Sequence, residues 1–459
     1  MKKPNKLRIH YLYWKREKKR LKRLSKNRIY LQKLKKLSNS NVILSKIDNI
    51  VWERYSSKLF DFFLSKDFIS LKENSTSTIL IPKIFSLNNN YGESIETISK
   101  FVTSVKANVG RVITVDFSKC QSVDQPALFL LQILGLEFKD EFNKLDTRLR
   151  TLTCKVTYEV IKSPNDNVNK LLVTTGIIKS SKFPVGGLIP IHTLGYLKGS
   201  KDQKHYSENK KGKLGTKTVE YINACLQPFD YEFNPQGINY IDGLVSEILN
   251  NAEDHSVFGS YYITANLLID IPTEITNGQF VGELNLTFLN FGDSFYEGLE
   301  ETKHENSDMY ITLNQLYEEV LSENPRMNFS KENLFTLYAL QEGISRLKYE
   351  DQSRGTGTMK FVSSFLALGD YQDDSKGYIP SLTILSGKTL LICNNMYKNF
   401  YKEDVCFISL NTEQDLRILP EESNLKSLRH HFPGTLLTAK IYLNREHLTK
   451  KVEDNGAHN

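Results

Sequence analysis

Glu247, Asn251, Asp254 and His255 fall at i, i+4, i+7 and i+8 of the helix-patterned segment INYIDGLVSEILNNAEDHS, along one helical face. Ile241, Leu244, Val245, Ile248 and Leu249 mark its buried side. A glutamate can polarise a water for attack on a terminal phosphate. An asparagine one turn further on can ligate magnesium, which takes oxygen donors and keeps several waters, so one protein ligand plus phosphates is enough. Read alone, the stretch is more simply a solvated polar helix face.

Two other segments carry related chemistry. In SRGTGTMKFVSSFLALGD, Gly355 and Gly357, with Thr356 between them and Thr358 after, precede a helix beginning near Met359. Glycines there let successive backbone N–H groups face one anion, and the helix N-terminus adds partial positive charge, so phosphate is the natural ligand. Arg354, just ahead, can also reach phosphate. Alone, this is equally a turn and a helix start. The strand-like ELNLTFLNFGDSFYEGL runs into a turn at Asn290, Gly292 and Ser294, and by itself reads as an ordinary strand and turn.

Taken in order, these segments resemble the GHKL ATPases, the Bergerat-fold superfamily of gyrase, heat-shock chaperone, histidine-kinase and mismatch-repair ATPases. The resemblance covers about residues 221–445 and implies a C-terminal α/β sandwich that binds ATP with Mg2+. On it, Glu247 is the water-activating base and Asn251 the metal ligand. His255 is a structural or phosphate-side residue. Asn290 stands where the family has an acid that accepts the adenine amino group, a bond that its carbonyl oxygen can also accept. Gly292 matches the first glycine of that box, and Ser294 replaces the second. Gly355 and Gly357 match the second glycine motif, with Thr358 in place of its third glycine. In FPGTLLTAKIYL, Thr435 matches the threonine of the family's last strand. Residues 296–353 take the place of the lid and are expected to be mobile when the site is empty.

Upstream, VITVDFS followed by VDQPALFLLQILGLEF gives a strand, loop and helix that resemble the STAS fold of anti-anti-sigma factors, over about 105–180. Asp116, Ser118 and Asp124 match that pattern, but Pro126 stands at the acceptor serine, so phosphorylation there is chemically impossible. The STAS-like unit is expected to be a docking or regulatory surface, which makes an anti-sigma-type serine kinase the lesser alternative. None of His10, His192 and His205 lies in the helical context of a sensor-kinase phosphoacceptor. A nucleotide-driven homodimer, as in gyrase-like relatives, is an analogy at fold level. The leading expectation is a slow regulatory ATPase whose lid closure changes partner contacts. The alternative is an adaptor that binds nucleotide poorly or not at all and acts through protein or nucleic-acid contacts.

The elements around these boxes follow from composition. At 459 residues and 40% hydrophobic content the chain has material for two to three domains. Residues 1–38 hold 16 Lys and Arg against the single acid Glu17, whereas the remainder is net acidic. This basic helical arm needs a polyanion: nucleic acid, with Tyr11, Tyr13 and Trp14 able to stack on bases, or an acidic protein surface. The expected layout is the arm, a helical connecting region over 39–104, the STAS-like unit over 105–180, a linker over 181–220, the ATP-binding unit over 221–445 and a frayed tail over 446–459. Five scattered cysteines without metal-site spacing fit a reducing compartment. The longest apolar run, Ala127 to Leu136, is about half the ~20 residues that span a bilayer. With no export signal visible, the expected location is cytoplasmic.

Overall fold

The computed structural model describes residues 58–65, 77–107, 112–149, 157–178, 193–200, 209–270, 281–344, 357–368, 378–394, 396–402, 405–443 and 446–450. The basic arm over 1–38 lies outside them, as do Arg354, Gly355 and Thr356. Helices and sheets are mixed along the chain, in keeping with an α/β protein.

The first part comprises α1 (Lys58–Ser65), β1 (Thr78–Leu80), β2 (Ile84–Phe85), α2 (Tyr91–Ala107), β3 (Val112–Asp116), β4 (Ser122–Val123), α3 (Gln125–Leu149), β5 (Thr157–Ile161) and α4 (Asp166–Thr174). Strands β1, β3 and β5 form a parallel sheet with β3 central. Parallel neighbours need a crossover, and α2 and α3 supply the two here. The sheet takes its edge strand from Thr78–Leu80, so it reaches upstream of the expected boundary at 105. In the turn after β3, Asp116 Oδ1 accepts from the Ser118 N–H at 2.8 Å. At the start of α3, Asp124 Oδ1 accepts from Ala127 N at 2.9 Å, while Oδ2 accepts from Ser86 Oγ at 2.6 Å and Asn88 N at 3.2 Å. Pro126 sits in the first turn of the helix, where its missing N–H has no intrahelical partner to lose.

The second part runs β6 (Thr193–Ser200), α5 (Asn209–Leu226), β7 (Tyr231–Phe233), α6 (Pro235–His255), β8 (Ser256–Asp270), β9 (Val281–Gly292), α7 (Phe295–Glu301), α8 (Ser307–Glu323), α9 (Lys331–Tyr338), α10 (Gly357–Leu368), β10 (Ser381–Cys393), β11 (Phe400–Lys402), β12 (Val405–Phe407), β13 (Leu425–Leu443) and β14 (Leu448–Lys450). Five strands form an antiparallel sheet in the order β10-β13-β9-β8-β6. Side chains alternate between its faces. Rows such as Ile263–Phe288–Leu437 and Ala265–Leu286–Ala439 point to one face, into a core shared with α5, α6, α9 and α10. The intervening row Tyr262–Leu289–Leu436 joins a second core, built with α1, α2 and α3 of the first part. There Phe63 meets Phe291 edge-on at 6.3 Å, and Thr287 Oγ1 donates to Gln125 Oε1 at 3.3 Å. Both faces of the sheet are therefore covered.

The linker and the tail differ from their sequence expectation, and the helix-patterned lid segment adds packing to its own. The stretch expected as a linker supplies β6, which pairs with β8, and the start of α5, where Gly215 and Thr218 are buried. The segment in the lid position supplies α7, α8 and α9, which pack into the first core through Leu313, Val320, Leu334 and Phe335. Lys331 Nζ fastens these helices: it lies 4.9 Å from the Phe335 ring centre and donates to Tyr310 Oη at 3.1 Å, and Tyr310 in turn donates to Glu300. The tail contributes β14, because Asn234 captures the carbonyls of Glu446 and His447 and Leu448 is buried. No helix among the described residues is long and apolar enough to cross a membrane.

Candidate functional site

Helix α6 carries the apolar stripe expected of it: Ile241, Leu244, Val245, Ile248 and Leu249 are all buried. Its i, i+3, i+4, i+7 spacing presses that side onto β8 and β9. Asn251, three residues beyond Ile248, stands at the edge of the same stripe near the helix end. Glu247 lies on the flank and is half-buried. The backbone of His255 closes α6.

Asn290 and Thr435 are directly paired across β9 and β13. That pairing needs a glycine next to Thr435. Gly434 has φ +134°, and a Cβ there would lie 2.1 Å from the Asn290 carbonyl oxygen. The close approach puts both polar side chains at the end of the sheet that faces α6.

A cavity of about 20 Å3 lies between them, roughly the room of one water. Its walls are Ile248 and Asn251 from α6, Phe288, Leu289 and Asn290 from β9, Thr435 and Leu437 from β13, and Asp293 and Phe295 from the turn into α7. The Asn251 Nδ2 group is buried and has no hydrogen-bond partner among the described residues. An unmade bond of this kind costs roughly 1–3 kcal/mol, so it marks a place where a bound group has something to supply. Thr435 Oγ1 shares a 3.0 Å bond with Ser386 Oγ on β10, and the same Ser386 oxygen accepts from the Phe295 N–H at 3.0 Å.

The structure thus brings Asn251, Asn290 and Thr435, 184 positions apart in the chain at their extremes, to one cavity. Gly292 ends β9, Gly357 is the first residue of α10 and Thr358 the second. Sequence reasoning missed Ser386, Asp293 and Phe295. It also read Ser294 only as a lost glycine. Ser294 caps α7, its hydroxyl accepting from Glu297 N while the Glu297 carboxylate accepts from Ser294 N. The S-F-Y-E run at 294–297 is a capping-box signature and was available in the sequence.

The unpartnered Asn251 Nδ2 is a donor that suits a phosphate or base oxygen, the Asn251 Oδ1 is the atom a metal would take, and Asn290 and Thr435 offer groups for a base edge. The room does not suit a base as it stands, since small-molecule pockets measure roughly 300–1,000 Å3. Among the described residues no group of three or more His, Cys, Asp or Glu side chains could hold a metal ion by itself. Comparison of the chain with protein-family models, with curated proteins and with solved structures finds no match.

Proposed function

We propose that the second part of this chain is a nucleotide-binding regulatory module of the GHKL kind, taking ATP with Mg2+. The observation that carries this reading is the convergence of Asn251, Asn290 and Thr435 on one cavity in which the Asn251 Nδ2 donor lacks a partner among the described residues. Asn251 would hold the metal through Oδ1 and donate from Nδ2 to a phosphate oxygen, and Asn290 and Thr435 would hold the base edge. Magnesium, when bound, neutralises phosphate charge. Glu247, one turn before Asn251 on α6, polarises a water and takes its proton. The glycine segment at 355–357 would present backbone N–H groups to the phosphates. The first part of the chain, fastened to the opposite face of the same sheet, is in this reading the regulatory surface. The arm over 1–38 would meet nucleic acid or an acidic protein partner.

A calorimetric titration of the full chain with ATP, with and without magnesium, tests the proposal. Saturable, magnesium-dependent binding that Asn251→Ala weakens is the expected result. Equal losses in Asn251→Ala with and without magnesium would remove Asn251 from the ligand role.

One observation favours a second reading, an adaptor that does not bind nucleotide. The cavity has the size of a single water, and Ser294, at the second glycine position, is committed to capping α7. Absence of any heat with ATP, ADP or GTP would decide for it.

A further inference from the structure

The cavity has walls of two kinds. Asn290 and Thr435 are fixed by the pairing of β9 with β13, and Asn251 by a helix packed on the sheet. Phe295 is different, because it is the first residue of a seven-residue helix and lines the cavity from the side where the strand gives way to a turn. If a nucleobase enters, this is the wall that can withdraw without breaking a strand ladder.

Phe295 packs on the first core, and one specific bond adds to that packing. Its N–H donates to Ser386 Oγ at 3.0 Å, and Ser386 is fully buried. Ser386 stands opposite Thr435 in the β10–β13 ladder, just before the bulge at Gly387. Gly387 has φ +56°, and a Cβ there would come within 3.0 Å of Ser294 Cβ, so β10 presses directly on the start of α7. One hydroxyl therefore ties the movable wall of the cavity to the threonine on its fixed wall.

We propose that Phe295 is the gate of this cavity and that Ser386 is the positioning residue that latches it shut. The inference rests on the nucleotide reading above and deepens it: the water-sized cavity is the closed state, and apparent affinity is lowered by the small fraction of molecules with the gate open. Removing the latch then raises affinity, whereas removing a residue that merely shapes the site lowers it.

The test uses the full-length chain and three variants, Ser386→Ala, Ser386→Thr and Phe295→Ala, titrated with ATP plus magnesium and with ADP. Ser386→Ala is expected to bind about fivefold more tightly, the equilibrium equivalent of one net hydrogen bond. Phe295→Ala is expected to bind at least as tightly as that, and Ser386→Thr, which keeps the hydroxyl, to behave as the unaltered chain. Weaker binding in Ser386→Ala would overturn the latch. Weaker binding in Phe295→Ala would make Phe295 a stacking wall and overturn the gate. Hydrogen exchange in the nucleotide-free chain separates this inference from the reading beneath it. Exchange at Gly298 and Leu299 should quicken about fivefold in Ser386→Ala, and unchanged exchange overturns the latch whether or not nucleotide binds. Quickened exchange with no nucleotide binding to any of the four chains would sink the nucleotide reading instead.

Discussion

The turn from β3 into α3 and the turn from β9 into α7 use the same materials. In each, a short polar side chain lies at or near the strand end and another caps the next helix. They differ in whether an unpaired group beside them lines a cavity. Around β3–α3, Asp116 holds Ser118, and both oxygens of Asp124 are occupied by Ala127, Ser86 and Asn88. Around β9–α7 the cap is equally complete through Ser294 and Glu297, yet Asn251 beside it keeps a buried amide without a partner. The first turn has a buried amide of the same kind, Gln125 Nε2 at the start of α3, but the Gln125 side chain is bound to the sheet through Oε1 and Thr287, whereas Asn251 Nδ2 lines a cavity. Residue type and spacing had drawn attention to both. Only the cavity beside the second tells them apart.

If that distinction is sound, damage to the first turn shows in stability and damage to the second in ligand binding. The largest effect is expected for Asp124→Ala, which strands two buried-side N–H donors and a hydroxyl: about 3 kcal/mol lost in chemical denaturation, with ATP affinity unchanged. A loss of affinity as large as the loss of stability would mean that the first turn also serves the ligand. Next comes Glu247→Gln, expected to bind ATP normally while hydrolysis falls about a hundredfold. Turnover that survives this change would take Glu247 out of the role of base.

Asn251→Leu should give the opposite signature from Asp124→Ala. Removing an unpartnered amide leaves folding stability unchanged or raises it by about 1 kcal/mol. Magnesium-dependent ATP affinity should fall about tenfold, equivalent to about 1.4 kcal/mol. A marked fall in stability instead would show that the amide has a structural partner, such as a bound water, and the contrast between the turns would fail.

Much of this contrast was legible before any coordinates, and the part that was not has physical reasons. The stripe on α6 and the strand that carries Asn290 are local patterns, readable from periods of 3.6 and 2. The pairing of Asn290 with Thr435 joins residues far apart in sequence, and register between distant strands has no local signal. The same holds for Ser386, which matters only because β10 lies against β13. The helices α7 to α9 read as a polar, helix-patterned lid because α7 and α8 carry charged outer faces. Their buried sides, including Phe335 and Leu334, find partners only in the folded chain. Segment 197–218 reads as a linker for want of apolar residues. The pairing of β6 with β8 supplies what local propensity does not.

The smallest expected effect concerns the charge on Asp124, and it sharpens the comparison because Asn251, Asn290 and Thr435 have no proton to titrate near neutral pH. Burial is the largest influence on the Asp124 carboxyl and raises it above the ordinary value of 3.8, against the hydrogen bonds from Ser86, Ala127, Asn88 and Leu87. A carboxyl raised in the folded chain binds its proton more tightly there than in the unfolded chain. Its contribution to stability is therefore fully present below about pH 4 and is lost as pH rises through the folded value. Asp124→Asn, which stays neutral, removes that dependence. The stability of the unaltered chain relative to Asp124→Asn should decline from pH 4 upward, by about 1.4 kcal/mol for each pH unit by which folding raises the carboxyl. Denaturation of both proteins at matched pH values between 4 and 8 measures it. A relative gain with rising pH would mean that the hydrogen bonds outweigh desolvation and that the cap of α3 works best charged.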